Sequence, residues 1–218
     1  MLSISEKIFV LSLYEKRNGS IQLSKSPFLP YGLAAGGLLE IVFSKVGMIN
    51  SSKKIVVINP ISEIKIIPGD LIKQILFEKE YKKSSFWIEV LGRKRKRIEE
   101  DFVTSFLQKN ILIMDGQICH FHPDSIGKPT IKFTVKEELR SLILGGAEFD
   151  LQNYAVLKIL ETIHMLDQIF TYDEIKPIHQ QVDQILPAQE MDSVDTADLE
   201  NLKIVMDALN QIVNLQKS

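Results

Sequence analysis

The sequence predicts a mainly α-helical fold, with a single helical domain (residues 1–218) around buried core helices and two β-hairpins. Three observations predict this class. Tyr31–Val46 has the length of a helix and almost no polar side. Apolar residues recur at helical spacing behind capping signals in much of the remaining chain. Two pairs of short apolar runs flank turn residues, which is the pattern of a hairpin.

Tyr31–Val46 is the segment around which the other elements are expected to pack. As a helix it is about 24 Å long, at about 1.5 Å per residue. Polar side chains interrupt its apolar surface only at Glu40, Ser44 and Lys45. A helix that is apolar all round is normally buried, and this one is too short to span a bilayer. It also contains small residues that let another helix approach closely, namely Gly32, Ala34, Ala35, Gly36 and Gly37.

Other helices are predicted from capping boxes and amphipathic spacing. A Ser or Thr followed three residues later by Glu opens three of them, at Ser3, Thr134 and Thr171. Ser20–Pro30 is expected to be a loop, and Pro187–Ala197 an acidic linker. The predicted helices run from Ile4 to near Asn18, Leu71 to Tyr81, Arg93 to Asn110, Thr134 to Leu144, Leu151 to Ile169, and about Asp198 to Val213.

Two hairpins are predicted from turn residues between β-prone runs. Met48–Ile58 contains the first, around the turn Asn50–Lys53. Ile111–Phe121 contains the second, and its Asp115-Gly116 pair is the strongest short hairpin signal.

Charge is distributed unevenly along the chain. Residues 1–147 carry 22 Lys and Arg against 15 Asp and Glu, whereas residues 148–218 carry 4 against 13. The first part therefore suits an anionic partner, or the two parts attract each other. There is no secretory signal pattern, and the single cysteine excludes an internal disulfide. These features predict a cytoplasmic protein.

No catalytic or metal site is predicted. Cys119, His120 and His122 are close in sequence, but on a strand the cysteine points away from both histidines, and zinc prefers four convergent ligands. His164 and His179 are expected in helices, as surface or core residues. Known nucleophile and phosphate-loop motifs are missing, so we expect a non-enzymatic protein without a cofactor.

A basic segment, Lys82–Arg97, surrounds Phe86 and Trp87. Aromatic side chains beside cations suit a membrane interface. The same segment ahead of a helix and a hairpin also suits a winged-helix-like protein that binds a phosphate backbone. A solvated charged surface with Trp87 in the core is the third interpretation.

Several segments occur in a characteristic order, which is SEKIFVLSL, YGLAAGGLLEI, FWIEVLG, FLQKNIL, HFHP and YAVLKILETIHML. From Ser3 to Val213 this order resembles the Golgi phosphoprotein 3 family, including its bacterial relatives. The resemblance implies a mainly α-helical domain with a helical-bundle core. It also implies a peripheral membrane protein, since the eukaryotic members bind phosphatidylinositol 4-phosphate and sort glycosyltransferases.

The resemblance also implies positions for a head-group site. In those members the pocket uses a Trp before the core helix, an Arg within it and two Arg on the basic helix. The matching positions here are Lys25, Ala34, Lys96 and Glu99. Only Lys96 keeps the charge, with Arg93 and Arg97 as substitutes, so the expected lipid site is Lys25, Arg93, Lys96 and Arg97. The family hairpin mediates self-association, which makes Ile113, Met114, Asp115 and Gly116 the expected oligomer contact.

The expected function is a non-enzymatic peripheral membrane adaptor that binds anionic phospholipid head groups, with a protein client as a further partner. Two alternatives stay open. One is a winged-helix-like nucleic-acid-binding protein, although nucleic acid is the less favoured partner. The other is a protein-interaction module without lipid binding, whose acidic C-terminal surface binds a basic partner.

Overall fold

The centre of the fold is helix α2 (Leu29–Phe43). The structure is a computed structural model, and it describes residues 2–58, 81–116, 118–122, 130–144, 148–178 and 195–217. Pro30 lies in its first turn, where a missing backbone N–H costs nothing. Every residue from Leu29 to Val42 is buried. Helices from both halves of the chain pack on it. The predicted central helix is therefore confirmed, displaced by two to three residues.

The remaining helices enclose α2 and establish the mainly α-helical class. They are α1 (Ile4–Leu11), α3 (Ser84–Gly92), α4 (Arg95–Gln108), α5 (Ile131–Ile143), α6 (Leu151–Thr162), α7 (Leu166–Ile169) and α8 (Thr196–Leu215). Residues 172–178 are also helical. Helices α1, α3, α4, α6 and α8 all contact α2. Within the described ranges, no helix is long and apolar enough to cross a membrane.

In the described part of the chain, three antiparallel hairpins flank the helices, one more than predicted. They are β1–β2 (Leu13–Glu15, Ile21–Leu23), β3–β4 (Gly47–Ile49, Ile55–Val57) and β5–β6 (Leu112–Asp115, Ile118–Phe121). The last two were expected. The first replaces the end of the predicted α1, because the helix stops at Ser12 and the chain turns back at Gly19, whose φ of 76° suits glycine.

Two further helix predictions are partly wrong, one at its start and one in its interior. The Thr134 capping box does not form: Thr130 caps α5 and accepts from Phe133 N at 3.3 Å, while Glu137 pairs with Arg140. The predicted helix Leu151–Ile169 is broken into α6 and α7. His164 lies at the break with a φ of 55°, so its expected place inside a helix is also wrong.

Other boundaries agree with the sequence patterns. The Ser3 capping box is present at α1, and Asp150 caps α6. At Thr171 half of the predicted capping box forms: the Glu174 carboxylate accepts from the Thr171 backbone N–H at 2.6 Å and from the Thr171 hydroxyl at 2.9 Å. The predicted helix Leu71–Tyr81 lies outside the described residues except for Tyr81, as do His179 and most of the acidic linker.

The turn between α3 and α4 positions the basic segment. Ile88, Leu91 and Ile98 are buried on either side of it. Gly92 lets the corner approach α2 closely, because a Cβ at this position would lie 2.2 Å from the Tyr31 ring. This packing fixes the inner sides of both helices and leaves residues 93–97 at the protein surface.

Candidate functional site

The four residues expected to bind lipid lie on two neighbouring pieces of chain. Lys25 is in the loop between β2 and α2. Arg93 is in the corner between α3 and α4, and Lys96 and Arg97 are in the first turn of α4. All four side chains are exposed.

Arg95 joins these two pieces of chain. Its guanidinium donates to Ser24 O at 3.1 Å and to Ser26 O at 3.2 Å, the carbonyls on either side of Lys25. A second contact holds the same loop, since Ser24 Oγ donates to Gln168 Oε1 at 2.9 Å. The loop carrying Lys25 is therefore fixed beside the first turn of α4. We call Lys25, Arg93, Arg95, Lys96 and Arg97 the basic face.

The first turn of α4 concentrates positive charge at a helix N-terminus. Its N-cap, Lys94, makes no side-chain capping bond, and the turn contains three cations and no acidic residue. Cations at this end oppose the helix dipole at a cost of about 0.3–1 kcal/mol each. Free backbone N–H groups and the dipole there favour an anion. An anion at this turn would offset part of that cost.

Acidic neighbours reduce the charge of the basic face only in part. Arg93 pairs with Glu89, and Lys96 lies 3.7 Å from Glu100, both one helical turn apart. Exposed pairs of this kind contribute about 0.3–0.5 kcal/mol, so an anionic surface competes with them easily.

Glu99 is directed at Arg95 rather than at solvent. Its Oε1 lies 2.8 Å from Arg95 Nε. Burial raises the pKa of the Glu99 carboxyl, against the lowering effect of Arg95. Glu99 therefore helps to orient the guanidinium that holds the Lys25 loop, and it does not stand as a separate anion in front of the basic face.

The four positions that match the head-group pocket of the resembled family do not form one enclosed site here. Ala34 is fully buried inside α2, whereas Lys25 and Lys96 are exposed. The arrangement is an open cationic surface, which suits several anionic head groups more than one particular sugar phosphate. Sequence reasoning did not single out Arg95, because the acceptors of its side chain are main-chain carbonyls 69 and 71 residues away.

A shallow groove of about 600 Å³ borders the basic face. We call it the lysine groove. Among the described residues, its lining comprises three lysines, two aromatic rings, one carboxylate and one hydroxyl, which are Lys54, Lys82, Lys83, Tyr81, Phe86, Glu89 and Ser85. Trp87 is only 6% exposed and belongs to the core, as the third interpretation of the basic segment assumes.

The β5–β6 hairpin expected to mediate self-association projects Met114 and Ile118 into solvent. Gly116 makes its turn with a φ of 60°. Strand β6 contacts the turn of the β1–β2 hairpin, where His120 Nδ1 lies 2.9 Å from Gly19 O. Self-association through Ile113–Gly116 stays a prediction.

The Cys119–His122 segment does not form a metal site with other parts of the described chain. Across the hairpin Cys119 pairs with Met114, and His120 pairs with Ile113. No group of three His, Cys, Asp or Glu side chains converges among the described residues.

No protein-family model matches the chain. No curated protein matches it either.

Proposed function

We propose that this chain is a non-enzymatic peripheral membrane protein that binds anionic phospholipid head groups through the basic face. The observation that carries the proposal is the Arg95 contact with Ser24 and Ser26. It holds Lys25 beside the N-terminal cations of α4, so that residues distant in sequence present one charged surface.

The expected affinity follows from the number of cations. Each Lys or Arg near an anionic membrane contributes about 1 kcal/mol. The five cations of the basic face, partly paired with glutamates, therefore give weak binding that falls with ionic strength because the interaction is screened. Such a surface distinguishes anionic from neutral membranes without requiring one particular lipid.

The resemblance to the Golgi phosphoprotein 3 family supports the same role. It suggests an adaptor that attaches to a membrane and binds a protein client, and a cytoplasmic place in the cell. Because three of the four positions that match the family pocket have lost its residue types, we expect a reduced preference for phosphatidylinositol 4-phosphate.

The test is co-sedimentation with vesicles that contain phosphatidylglycerol in phosphatidylcholine. The triple variant Arg93→Ala, Lys96→Ala, Arg97→Ala should lose most binding. A matched control, Lys16→Ala, Lys203→Ala, Lys217→Ala, removes three exposed cations from other elements and should bind almost as well as the wild type. Equal binding by the wild type and the basic-face variant would refute the proposal.

A duplex DNA arm separates this function from the nucleic-acid alternative. The proposal predicts that DNA at low salt competes poorly with vesicles. Tight duplex binding with a steep salt dependence, together with no vesicle binding, would favour the alternative.

A further inference from the structure

The residue before Lys25 is almost completely buried, although it is polar. Ser24 is 2% exposed, whereas the Lys25 side chain is exposed. Burying a hydroxyl is costly unless it forms hydrogen bonds. The hydrogen bonds of Ser24 therefore identify the parts of the fold that hold the loop between β2 and α2.

The polar groups of Ser24 have partners on three different helices. Its N–H donates at 2.9 Å to the carbonyl of Ser12, which is the C-cap of α1, and its own carbonyl accepts from Arg95 at 3.1 Å. Its hydroxyl donates to Gln168 Oε1 in α7 at 2.9 Å and accepts from Ser26 N at 3.1 Å. Ser24 therefore bonds α1, α4 and α7 to one point of the loop.

These bonds fix the main chain on both sides of Lys25. On one side Arg95 holds the Ser24 carbonyl. On the other side the Ser24 hydroxyl holds the N–H of Ser26, and Arg95 holds the Ser26 carbonyl at 3.2 Å. The Cα–Cβ bond of Lys25 therefore keeps one direction. Fixing a residue costs conformational entropy, and here that cost falls on folding and not on membrane binding.

The α6–α7 region contacts both ends of this loop. At the start of the loop, Gln168 Oε1 accepts from the Tyr14 hydroxyl as well as from Ser24, which orients the amide. At its end, the Phe28 ring makes an edge-to-face contact with the His164 ring, with centroids 6.1 Å apart. The loop is thus held by the α6–α7 region independently of its bonds to α4.

We infer that Ser24 and Gln168 are positioning residues for Lys25. The hydrogen bond between them keeps Lys25 preorganised beside the first turn of α4, so that an anionic lipid head group meets an ordered cation. This inference rests on the proposed function and adds two uncharged residues to it. Because both act through Lys25, their effect on membrane binding is no larger than that of Lys25 itself.

The first test measures Ser24→Ala in the phosphatidylglycerol vesicle assay, with and without Lys25→Ala. Lys25→Ala should weaken binding about fivefold, the contribution of one cation near an anionic surface. Ser24→Ala should weaken it about threefold, which is in the range for one hydrogen bond and below the effect of Lys25. In the Lys25→Ala protein, Ser24→Ala should have no further effect, because the cation that it positions is absent.

Ser20→Ala is the matched control. Ser20 is also buried, with 9% exposure, and its hydroxyl donates to Asn18 Oδ1 at 2.7 Å within the β1–β2 hairpin. This variant should bind vesicles like the wild type. Hydrogen exchange of the Ser26 N–H should be faster in Ser24→Ala and unchanged in Ser20→Ala. Circular dichroism confirms that each variant is folded.

Gln168→Ala removes the same bond from its other side. Gln168 is exposed, so this change leaves the core intact and serves as the decisive variant if Ser24→Ala does not fold. Gln168→Ala should weaken vesicle binding, and again only when Lys25 is present. The double variant with Ser24→Ala should bind no more weakly than Ser24→Ala alone, because both changes remove one shared bond.

The outcomes separate this inference from the proposed function. A wild type that binds no anionic vesicles would overturn both. Binding that is lost in the triple variant of the basic face but unchanged in Ser24→Ala and Gln168→Ala would leave the proposed function standing and overturn this inference. Equal weakening by these two changes with and without Lys25 would also overturn it, because they would then act on the fold and not through Lys25.

Discussion

The guanidinium of Arg95 donates to the main-chain carbonyl of Ser24 at 3.1 Å, across 71 residues of sequence. Together with its bond to Ser26 O, this contact makes a loop and a helix N-terminus into one surface. The rigid guanidinium suits this contact, because its two terminal nitrogens each donate to a different carbonyl. The arrangement makes Arg95 a positioning residue for Lys25 as well as a cation.

The loop contact predicts that Arg95 contributes more than its charge. Loss of one cation should weaken vesicle binding about fivefold, from about 1 kcal/mol per residue. Arg95→Ala should weaken it further, because the Lys25 loop is released. Lys96→Ala is the matched control, since it removes one charge and leaves the loop bonds intact. Hydrogen exchange of residues 24–28 should become faster in Arg95→Ala alone. Equal affinities and equal exchange in both variants would contradict this role.

The corner between α3 and α4 has no space for a side chain at Gly92. A Cβ there would lie 2.2 Å from the Tyr31 ring, which is buried. Gly92→Ala should therefore lower the free energy of unfolding by about 1–3 kcal/mol, as overpacked cores do. Urea denaturation measures the change. Gly36→Ala is a milder comparison, because its nearest contacts are side-chain atoms at 3.1–3.2 Å. A Gly92→Ala variant as stable as the wild type would show that the corner can open.

Glu40 predicts how stability depends on pH. Burial raises the pKa of its carboxyl above the ordinary 4.5, despite a hydrogen bond from Ile4 N at 2.9 Å. The folded state then holds this proton more tightly than the unfolded state. Its contribution to stability is full below pH 4.5 and declines as the pH rises from there to the folded pKa.

Replacing Glu40 with Gln should remove this decline. Urea unfolding across a pH series is expected to show a Glu40→Gln variant that gains stability relative to the wild type as the pH rises. Glu200→Gln removes the same charge from an exposed position and serves as the control. Parallel pH profiles for the wild type and Glu40→Gln would show that Glu40 is not the group responsible.

The buried ion pair of Lys7 predicts that loss of its acidic partner destabilises the fold more than loss of Lys7 itself. Its ammonium is buried and donates to Glu138 at 2.8 Å and to Asn153 at 2.7 Å, which ties α1 to α5 and α6. Glu138→Ala leaves a buried charge and should cost about 2 kcal/mol, less than for a fully buried pair because Glu138 is partly exposed. Lys7→Met removes the charge and should cost about 1 kcal/mol, mainly through the unpaired Asn153 oxygen. Urea midpoints measure both, and the reverse order would contradict the argument.

The sequence allowed the core and most helix positions to be predicted because they depend on local patterns. The segment around Leu33 and Leu38 is apolar on all sides as a helix, so it is buried in the protein interior. The β5–β6 hairpin was predicted from Asp115-Gly116, and in the structure Asp115 ends β5, where it pairs with Ile118, and Gly116 begins the turn. The β1–β2 hairpin was missed because helical spacing continues to Tyr14, and the helix end at Ser12 depends on bonds formed in three dimensions.

The candidate site was less predictable than the core. The cations of the basic face were visible as a charged run, but their assembly with Lys25 depends on Arg95 and two main-chain carbonyls. The lysine groove likewise depends on the bridge between Lys54 and Lys83, which are 29 residues apart. No periodicity or motif in the sequence predicts either of these contacts.

The most direct test of the account is co-sedimentation of the wild type with three kinds of vesicle at low and high salt. These are phosphatidylcholine alone, phosphatidylcholine with phosphatidylglycerol, and phosphatidylcholine with phosphatidylinositol 4-phosphate. The account predicts no binding to the first, similar binding to the other two at equal surface charge, and its loss at high salt. No binding to either anionic membrane, or equal binding to the neutral one, would contradict it.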